Sequence, residues 1–238
     1  MPETTIIVKP DTAGWSPAYP DHPTSLVSAG FDSTLNSLQA SGTGKNQFYM
    51  LPSAIGVTNL NEIESINFWT KKSTSYDSPN EGDWFLQIYT EGELNGWYES
   101  RLNAEPYLAD HDNVSVGNWN NWSTTPSLTN TLKWGDSSPS GGSDFGANIG
   151  YFSTLMTTTV NGGTGTYGEA VMKYFTFGTG SGWANGFDGE IGHMTINLTN
   201  GNSTKIIFGD PPVPPPTATG APVSSYVLSS VSKRELLL

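Results

Sequence analysis

The chain has 238 residues, with 10 basic and 22 acidic side chains, a formal net charge of -12 and no cysteine. A strongly acidic chain repels phosphate backbones and anionic lipids, so we expect neither a nucleic acid nor a membrane as a partner. The absence of cysteine excludes a disulfide framework, a thiol nucleophile and a zinc–thiolate site.

Only 13% of the residues are charged, about half of the usual fraction. A surface that relies on hydroxyls and amides is common on extracellular β proteins, so we expect an extracellular location. The opening MPETTIIVKP lacks the pattern of a signal peptide. No run of about 18 apolar residues predicts a membrane-spanning helix.

Alternating apolar and polar residues, separated by clusters of Gly, Ser, Pro and Asn, predict a series of short β-strands. In chain order the candidates are TTIIV, NQFYML, EIESINFWT, WFLQIYTEGEL, WYESRL, NTLKW, EAVMKYFTFG, GHMTINLT and NSTKIIF. The segment GYFSTLMTTTV fits a strand or a helical turn, and no long amphipathic helix is evident. The predicted fold is all-β, an antiparallel two-sheet β-sandwich of jelly-roll type.

Four Asn-Gly dipeptides mark turns between these segments. Asn95-Gly96 and Asn200-Gly201 lie between alternating flanks, as in hairpins with a two-residue type I′ turn. Asn161-Gly162 and Asn185-Gly186 are further turn signals. The strand that precedes Asn200 alternates strictly, which predicts one core face and one polar face. The predicted core face is Gly192, Met194, Ile196 and Leu198, and the predicted outer face is Ile191, His193, Thr195 and Asn197.

The composition changes after Asp210, where a proline-rich run begins. We therefore expect a sandwich domain over 1–210, an extended linker over 211–222 and an apolar tail over 223–238. One hypothesis makes this tail an arm that adds an edge strand or fills a groove on a second copy, giving a homo-oligomer. The alternative is a flexible tail. An extracellular structural or adhesive protein that assembles through the arm is one candidate function.

The segment Phe187-Asp188-Gly189-Glu190-Ile191 resembles the late F-x-G-x-I strand of laminin-G-like and other concanavalin A-like sandwiches. This resemblance implies a concanavalin A-like jelly roll and says little of function. The stretches WYESRLNAEPYL, WNNWS and GSGWANGF are similar to segments of uncharacterised secreted microbial proteins. That similarity implies no activity.

Several tryptophans lie in polar surroundings, which favours recognition of carbohydrate. An indole can stack on the apolar face of a pyranose while amides and carboxylates bind its hydroxyls. The stretch GNWNNWS, at 117–123, is loop-like and is the strongest binding candidate. We therefore expect a non-catalytic, lectin-like protein that binds a neutral glycan or polysaccharide. The predicted ligand-binding residues are Trp97, Trp119, Asn121, Trp122, Trp183, Asn185 and Asp188.

Two motifs point to an enzymatic alternative. Gln87-Ile88-Tyr89 and the segment from Tyr174 to Gly178 resemble, in the same order, the Q-[IV]-H and Y-F-K-A-G motifs of jelly-roll alginate lyases. The resemblance implies that Gln87 and an arginine, for which Arg101 is the candidate, neutralise a uronate carboxylate, and that Tyr174 transfers a proton. Tyr89 stands where that family has His, and Thr176 stands where it has Lys.

No cofactor is expected, with calcium as the one exception to consider. Carboxylate oxygens are the ligands that Ca²⁺ prefers. The two acidic stretches that offer them contain Asp110 with Asp112, and Asp188 with Glu190. Neither has the full spacing of a known calcium loop.

Overall fold

A computed structural model describes residues 2–8, 15–16, 38–42, 47–72, 83–91, 101–106, 116–125, 130–136, 147–160, 164–179 and 187–208. The predicted linker and arm lie outside the described residues, so the assembly hypothesis stays a prediction. The turn signals Asn95-Gly96, Asn161-Gly162 and Asn185-Gly186 also lie outside them.

The described residues form thirteen β-strands, one short α-helix and three 3₁₀-helices. The strands are β1 (Glu3–Val8), β2 (Trp15–Ser16), β3 (Leu38–Gly42), β4 (Gln47–Met50), β5 (Ile63–Lys72), β6 (Phe85–Thr90), β7 (Arg101–Ala104), β8 (Trp119–Ser123), β9 (Trp134–Asp136), β10 (Ala147–Gly150), β11 (Met172–Gly178), β12 (Phe187–Leu198) and β13 (Ser203–Phe208). The helix α1 is Phe152–Thr157, and the 3₁₀-helices are Pro52–Ile55, Leu60–Glu62 and Tyr167–Glu169.

The strands form two sheets. The six-stranded sheet has the order β1-β13-β12-β5-β8, and β3 also pairs with β12. The seven-stranded sheet has the order β10-β9-β7-β6-β11-β4-β2. Pairing between the strands is antiparallel except for β1 with β13, which is parallel. The prediction of an all-β, two-sheet sandwich is confirmed, with one parallel pair that local sequence patterns did not indicate.

The hydrophobic core lies between the two sheets. Both sheets supply fully buried side chains to it, such as Phe68 and Met194 from one and Leu86 from the other. The ring of Phe177 in β11 meets that of Phe208 in β13 edge to face, with centroids 5.8 Å apart. Aromatic side chains therefore join the layers, as expected for a chain that has no disulfide to do so.

A register shift in β12 corrects the predicted faces of this strand. Ile191 lies opposite Thr70 and Met194 lies opposite Phe68, so three steps along β12 match two along β5. This extra residue makes a β-bulge, and it turns Ile191 and Met194 to the same side. Ile191 is 0% exposed, so its predicted place on the outer face is wrong. The predicted place of Gly192 on the core face is also wrong, because a Cβ there would meet the partly exposed Trp69 and Trp119. Strict alternation cannot reveal where a bulge interrupts it.

The hairpin between β12 and β13 is confirmed, but its turn is of another type. Gly201 has a φ of 86°, whereas Asn130 is the one residue other than glycine with a positive φ in the described chain. A type I′ turn requires a positive φ at Asn200 as well. Instead, Gly201 N–H donates to Leu198 O at 2.9 Å and Leu198 N–H donates to Asn202 O at 2.8 Å. The loop is therefore longer than a two-residue turn, and Gly201 supplies its positive φ.

The segment GYFSTLMTTTV is neither all strand nor all helix. Strand β10 ends at Gly150, and α1 begins two residues later. Phe152 and Leu155 of this helix are buried and belong to the core. None of the helices in the described part of the chain has the length and apolar character needed to cross a membrane.

Candidate functional site

The outer side of the six-stranded sheet presents aromatic and polar side chains in two rows across β8, β5 and β12. In the first row Lys71 lies opposite both Trp119 and Glu190. In the second row Trp69 lies opposite Asn121 and beside the bulge of β12. Both tryptophans are partly exposed. This surface, the tryptophan face, consists of Trp69, Lys71, Trp119, Asn121, Glu190 and Gly192.

The bulge gives the tryptophan face its shape. A Cβ atom at Gly192 would lie 3.2 Å from Cζ3 of Trp119 and 3.2 Å from Cβ of Trp69. The indole of Trp119 therefore extends over β5 as far as β12, and a residue with a side chain would push it away. Because glycine leaves this space, two tryptophans from different strands converge on one point of the sheet.

Charges on the tryptophan face are matched. The Nζ atom of Lys71 lies 5.6 Å from the centroid of the Trp119 ring and 3.5 Å from Oε1 of Glu190. Each contact contributes about 1 kcal/mol or less at a partly exposed position. Together they position the indole and leave this row of three strands without net charge.

Asn121 adds an amide beside Trp69. Its Oδ1 atom is buried and finds no hydrogen-bond donor in the described part of the chain. A buried acceptor without a donor costs about 1–3 kcal/mol. A new hydrogen-bond donor at this amide oxygen would therefore remove an energetic cost that the folded protein now carries. Asp188 and His193, also on β12, are both partly exposed.

The tryptophans of the GNWNNWS stretch point in opposite directions. The stretch was expected to be a loop, but residues 119–123 are strand β8, in which side chains alternate between the two sides. Trp119 and Asn121 reach the outer side, whereas Trp122 is 0% exposed in the core. Its Nε1–H donates to Thr70 Oγ1 at 2.7 Å. The structure therefore removes Trp122 from any ligand-facing surface.

The remaining predicted binding residues divide into two groups. Asp188 lies on β12 and is partly exposed. Trp97, Trp183 and Asn185 lie outside the described residues. Sequence reasoning missed Trp69 and Gly192. Because side chains alternate along a strand, the predicted strand EIESINFWT could have placed Trp69 on the outer face and Phe68 on the inner face. No pattern in the sequence indicated the bulge.

The outer side of the seven-stranded sheet carries a second polar surface. Arg101 and Tyr174 each lie directly opposite Tyr89, so one row crosses β7, β6 and β11. The next row places Gln87 of β6 between Asn103 and Thr176. This surface, the tyrosine face, consists of Tyr49, Gln87, Tyr89, Arg101, Asn103, Tyr174 and Thr176.

The tyrosine face is tied together by side-chain contacts. Gln87 Nε2–H donates to Asn103 Oδ1 at 2.8 Å, and the Tyr89 hydroxyl donates to Gln87 Oε1 at 3.3 Å. The ring of Tyr174 meets Tyr49 and Tyr89 edge to face, with centroids 5.4 Å and 6.5 Å apart. Gln87, Tyr89 and Asn103 are buried, whereas Arg101 and Tyr174 are partly exposed. All three residues named for a lyase, Gln87, Arg101 and Tyr174, therefore come together.

A buried polar cluster lies on the inner side of β5 and β8, behind the tryptophan face. Asp83 is 1% exposed and Lys72 is 2% exposed. Asp83 Oδ2 accepts a hydrogen bond from Thr70 Oγ1 at 2.5 Å, and Asp83 Oδ1 accepts one from Trp84 N–H at 2.8 Å. Burial raises the pKa of Asp83 from 3.8 to about 7, although Thr70, Trp84 N–H, Lys72 and Trp122 each act to lower this pKa.

The calcium predictions rest on four acids. Asp110 and Asp112 lie outside the described residues, and Glu190 pairs with Lys71. No group of three or more His, Cys, Asp or Glu side chains that could hold a metal ion occurs within the described ranges. The calcium site stays a prediction.

The fold and the two faces define the class: an all-β, two-sheet sandwich with a partly exposed aromatic and polar face on one sheet and a largely buried one on the other. Searches against protein families, curated proteins and solved structures each find no match. The function therefore has to be inferred from the faces themselves.

Proposed function

We propose that this protein binds a neutral glycan on the tryptophan face, without catalysing a reaction on it. The observation that supports this is the convergence of Trp69 and Trp119 on Gly192 next to the amide of Asn121. Partly exposed indoles offer flat apolar surface to the C–H face of a sugar ring, and an adjacent amide can bind its hydroxyls.

The electrostatics of the chain favour a neutral ligand. The pair of Lys71 and Glu190 leaves the face without a dominant charge. The net charge of -12 repels an acidic polysaccharide at longer range. A neutral polyol avoids this repulsion and loses little solvation when it binds.

The first prediction is that Trp69→Ala and Trp119→Ala each weaken glycan binding about thirtyfold, the loss of about 2 kcal/mol that is typical when an aromatic anchor is truncated. Affinity electrophoresis through gels that contain xylan, galactomannan or mixed-linkage β-glucan identifies a bound polymer. Titration calorimetry with an oligosaccharide of that polymer then gives the affinities.

Tyr151→Ala is the matched control, because Tyr151 is an aromatic residue at the start of α1 and is 41% exposed. This variant should migrate like the wild type. If no neutral polymer retards the wild-type protein, or if the tryptophan variants bind as tightly as Tyr151→Ala does, the proposal is wrong.

A second candidate function is supported by the tyrosine face. The row of Arg101, Tyr89 and Tyr174, with Gln87 next to it, contains the Gln, Arg and Tyr of the lyase motifs, with Tyr89 at the position of their His. In such a β-elimination a base takes the C5 proton of a uronate while the C4–O bond breaks. A C4=C5 double bond forms and the leaving oxygen takes a proton. Arg101 would neutralise the carboxylate, and Tyr174 would supply the proton.

The second prediction tests this alternative. A lyase converts alginate or polygalacturonate into unsaturated products that absorb in the ultraviolet. Tyr174→Phe should then lower the rate at least about a hundredfold, because general acid catalysis contributes that much. Tyr151→Phe is the control and should keep the full rate. No increase in absorbance with either polymer, or a Tyr174→Phe variant as fast as the control, rules this function out.

A further inference from the structure

The buried cluster lies on the opposite side of β5 and β8 from Trp69 and Trp119 of the tryptophan face. Thr70 lies between Trp69 and Lys71 in β5, and Trp122 follows Asn121 in β8. Because side chains alternate along a strand, the inward-facing and outward-facing members of each pair share a stretch of backbone. Any movement of Thr70 or Trp122 therefore shifts residues of the tryptophan face directly.

A continuous chain of hydrogen bonds runs through this cluster. The indole of Trp122 donates to Thr70 Oγ1 at 2.7 Å, and Thr70 Oγ1 donates in turn to Asp83 Oδ2 at 2.5 Å. Asp83 precedes β6, which belongs to the other sheet. The chain thus crosses between the two layers, from the carboxyl of Asp83 to β5 and then to β8.

We propose that the chain Asp83–Thr70–Trp122 is a proton-controlled coupling device that makes the tryptophan face respond to pH across neutrality. Its effect on ligand affinity rests on the proposed glycan binding, whereas its effect on the face itself does not. The geometry supports the proposal because one hydroxyl links the titrating carboxyl to β5 and β8, the two strands that carry Trp69 and Trp119.

The proton positions along the chain explain the coupling. When Asp83 is ionised, both of its oxygens accept, one from Thr70 and one from Trp84 N–H. When Asp83 is protonated, its O–H can donate to Thr70 Oγ1, and the hydroxyl of Thr70 then has to rotate toward another acceptor. Trp122 keeps the same acceptor atom, but the charge density on that atom changes. Its indole N–H therefore reports the state of Asp83.

The groups around Asp83 set the pH range. From β5 Thr70 and Lys72 act on it, from β8 Trp122 acts on it, and on its own side Trp84 N–H acts on it; Lys72 is the charged member of this set. Burial outweighs their combined effect and raises the pKa of Asp83 to about 7. The protonated form is therefore the one with the smaller desolvation cost. The fold is therefore more stable when Asp83 is protonated, and we expect acidic conditions to favour the paired arrangement of β5 and β8.

The third prediction concerns the free protein and needs no glycan. In protein labelled with ¹⁵N-tryptophan, the indole resonance of Trp122 should titrate with a midpoint near pH 7, and the resonances of Trp69 and Trp119 should follow with the same midpoint. In Asp83→Asn all three should stay constant over this range. Glu64→Gln alters an exposed carboxyl on β5. In this variant the three indole resonances should titrate as they do in the wild type.

Thr70→Val breaks the chain at its middle atom and keeps the shape of the side chain. Because the Thr70 hydrogen bond lowers the pKa of Asp83, its loss should move the midpoint to higher pH. Thr70→Ser keeps the hydroxyl and should restore the wild-type midpoint. If Trp69 and Trp119 do not titrate, or titrate equally in Asp83→Asn, the coupling device is ruled out.

Ligand affinity completes the test. With an oligosaccharide of the polymer retained in the gels, the wild type should bind about fivefold more tightly at pH 5.5 than at pH 8.5, a modest coupling between two sites. Asp83→Asn should bind equally at both pH values. Equal binding by the wild type overturns the effect on affinity. A protein that binds no glycan refutes the proposed function, and the resonances still decide whether the device exists.

Discussion

Trp122→Ala is expected to lower the free energy of unfolding by about 4 kcal/mol, whereas Trp119→Ala is expected to lower it by less than about 1 kcal/mol. The two residues are three positions apart in one strand, but Trp122 is completely enclosed and Trp119 lies on the outer side. Removing the buried indole leaves a large cavity beside Phe68. It also removes the Nε1–H group that donates a hydrogen bond to Thr70 Oγ1.

Urea denaturation followed by far-ultraviolet circular dichroism measures both losses. Trp122→Phe provides a milder variant in case alanine prevents folding. It keeps most of the buried ring and loses the Nε1–H donor, so we expect a loss of about 2 kcal/mol. The assignment of Trp122 to the core is wrong if Trp122→Phe and Trp119→Phe have the same stability as the wild type. Glycan binding should respond in the reverse order, with Trp119 the more sensitive position.

The difference between Trp119 and Trp122 shows how much of strand β8 can be predicted from the local sequence. Once residues 119–123 are known to be a strand, the alternation of side chains places residues 119 and 121 on one side and Trp122 on the other. The composition of GNWNNWS, rich in Gly, Asn and Ser, indicates a loop instead. Residues 119–123 become a strand by pairing with β5, about 50 residues earlier in the chain. No local sequence pattern indicates this partner.

The composition of each face depends even more on distant pairing. Tyr89 lies opposite Arg101 across one hairpin, but Tyr174 reaches the same row from about 85 residues away. The resemblance to lyase motifs named Gln87, Arg101 and Tyr174, and their convergence follows from a register that only the folded sheet sets. The tryptophan face likewise needs the bulge at Gly192, whose position reflects packing against Trp69 and Trp119 and not any turn signal.

Asp83 was not singled out from the sequence, for a related reason. An acid before the apolar run WFLQIY resembles an ordinary solvated residue at the start of a strand. Its burial becomes apparent only when β5 and β8 cover it with Thr70 and Trp122. A group whose importance arises from what other strands place over it has no signature of its own.

The stability of the protein is expected to fall as the pH rises from about 4 to about 7, by up to about 4 kcal/mol through Asp83 alone. The folded-state pKa of Asp83 is raised by burial to about 7, whereas its ordinary value is 3.8. Between these values the folded chain holds a proton that the unfolded chain has released, so the free energy of unfolding decreases with pH. Each pKa unit corresponds to about 1.4 kcal/mol. The contribution is complete below about pH 4 and absent above about pH 7.

Urea denaturation of the wild type and of Asp83→Asn between pH 4.5 and 8 isolates this effect. An ionic strength of about 0.3 M reduces the general repulsion that a net charge of -12 creates. Asn cannot ionise, so the curve of Asp83→Asn should be nearly flat where the wild type declines, and the variant should become the more stable protein above pH 7. Glu64→Gln, changed at an exposed carboxyl, should decline in parallel with the wild type. Parallel curves for the wild type and Asp83→Asn would mean that the buried carboxyl does not hold its proton near neutrality.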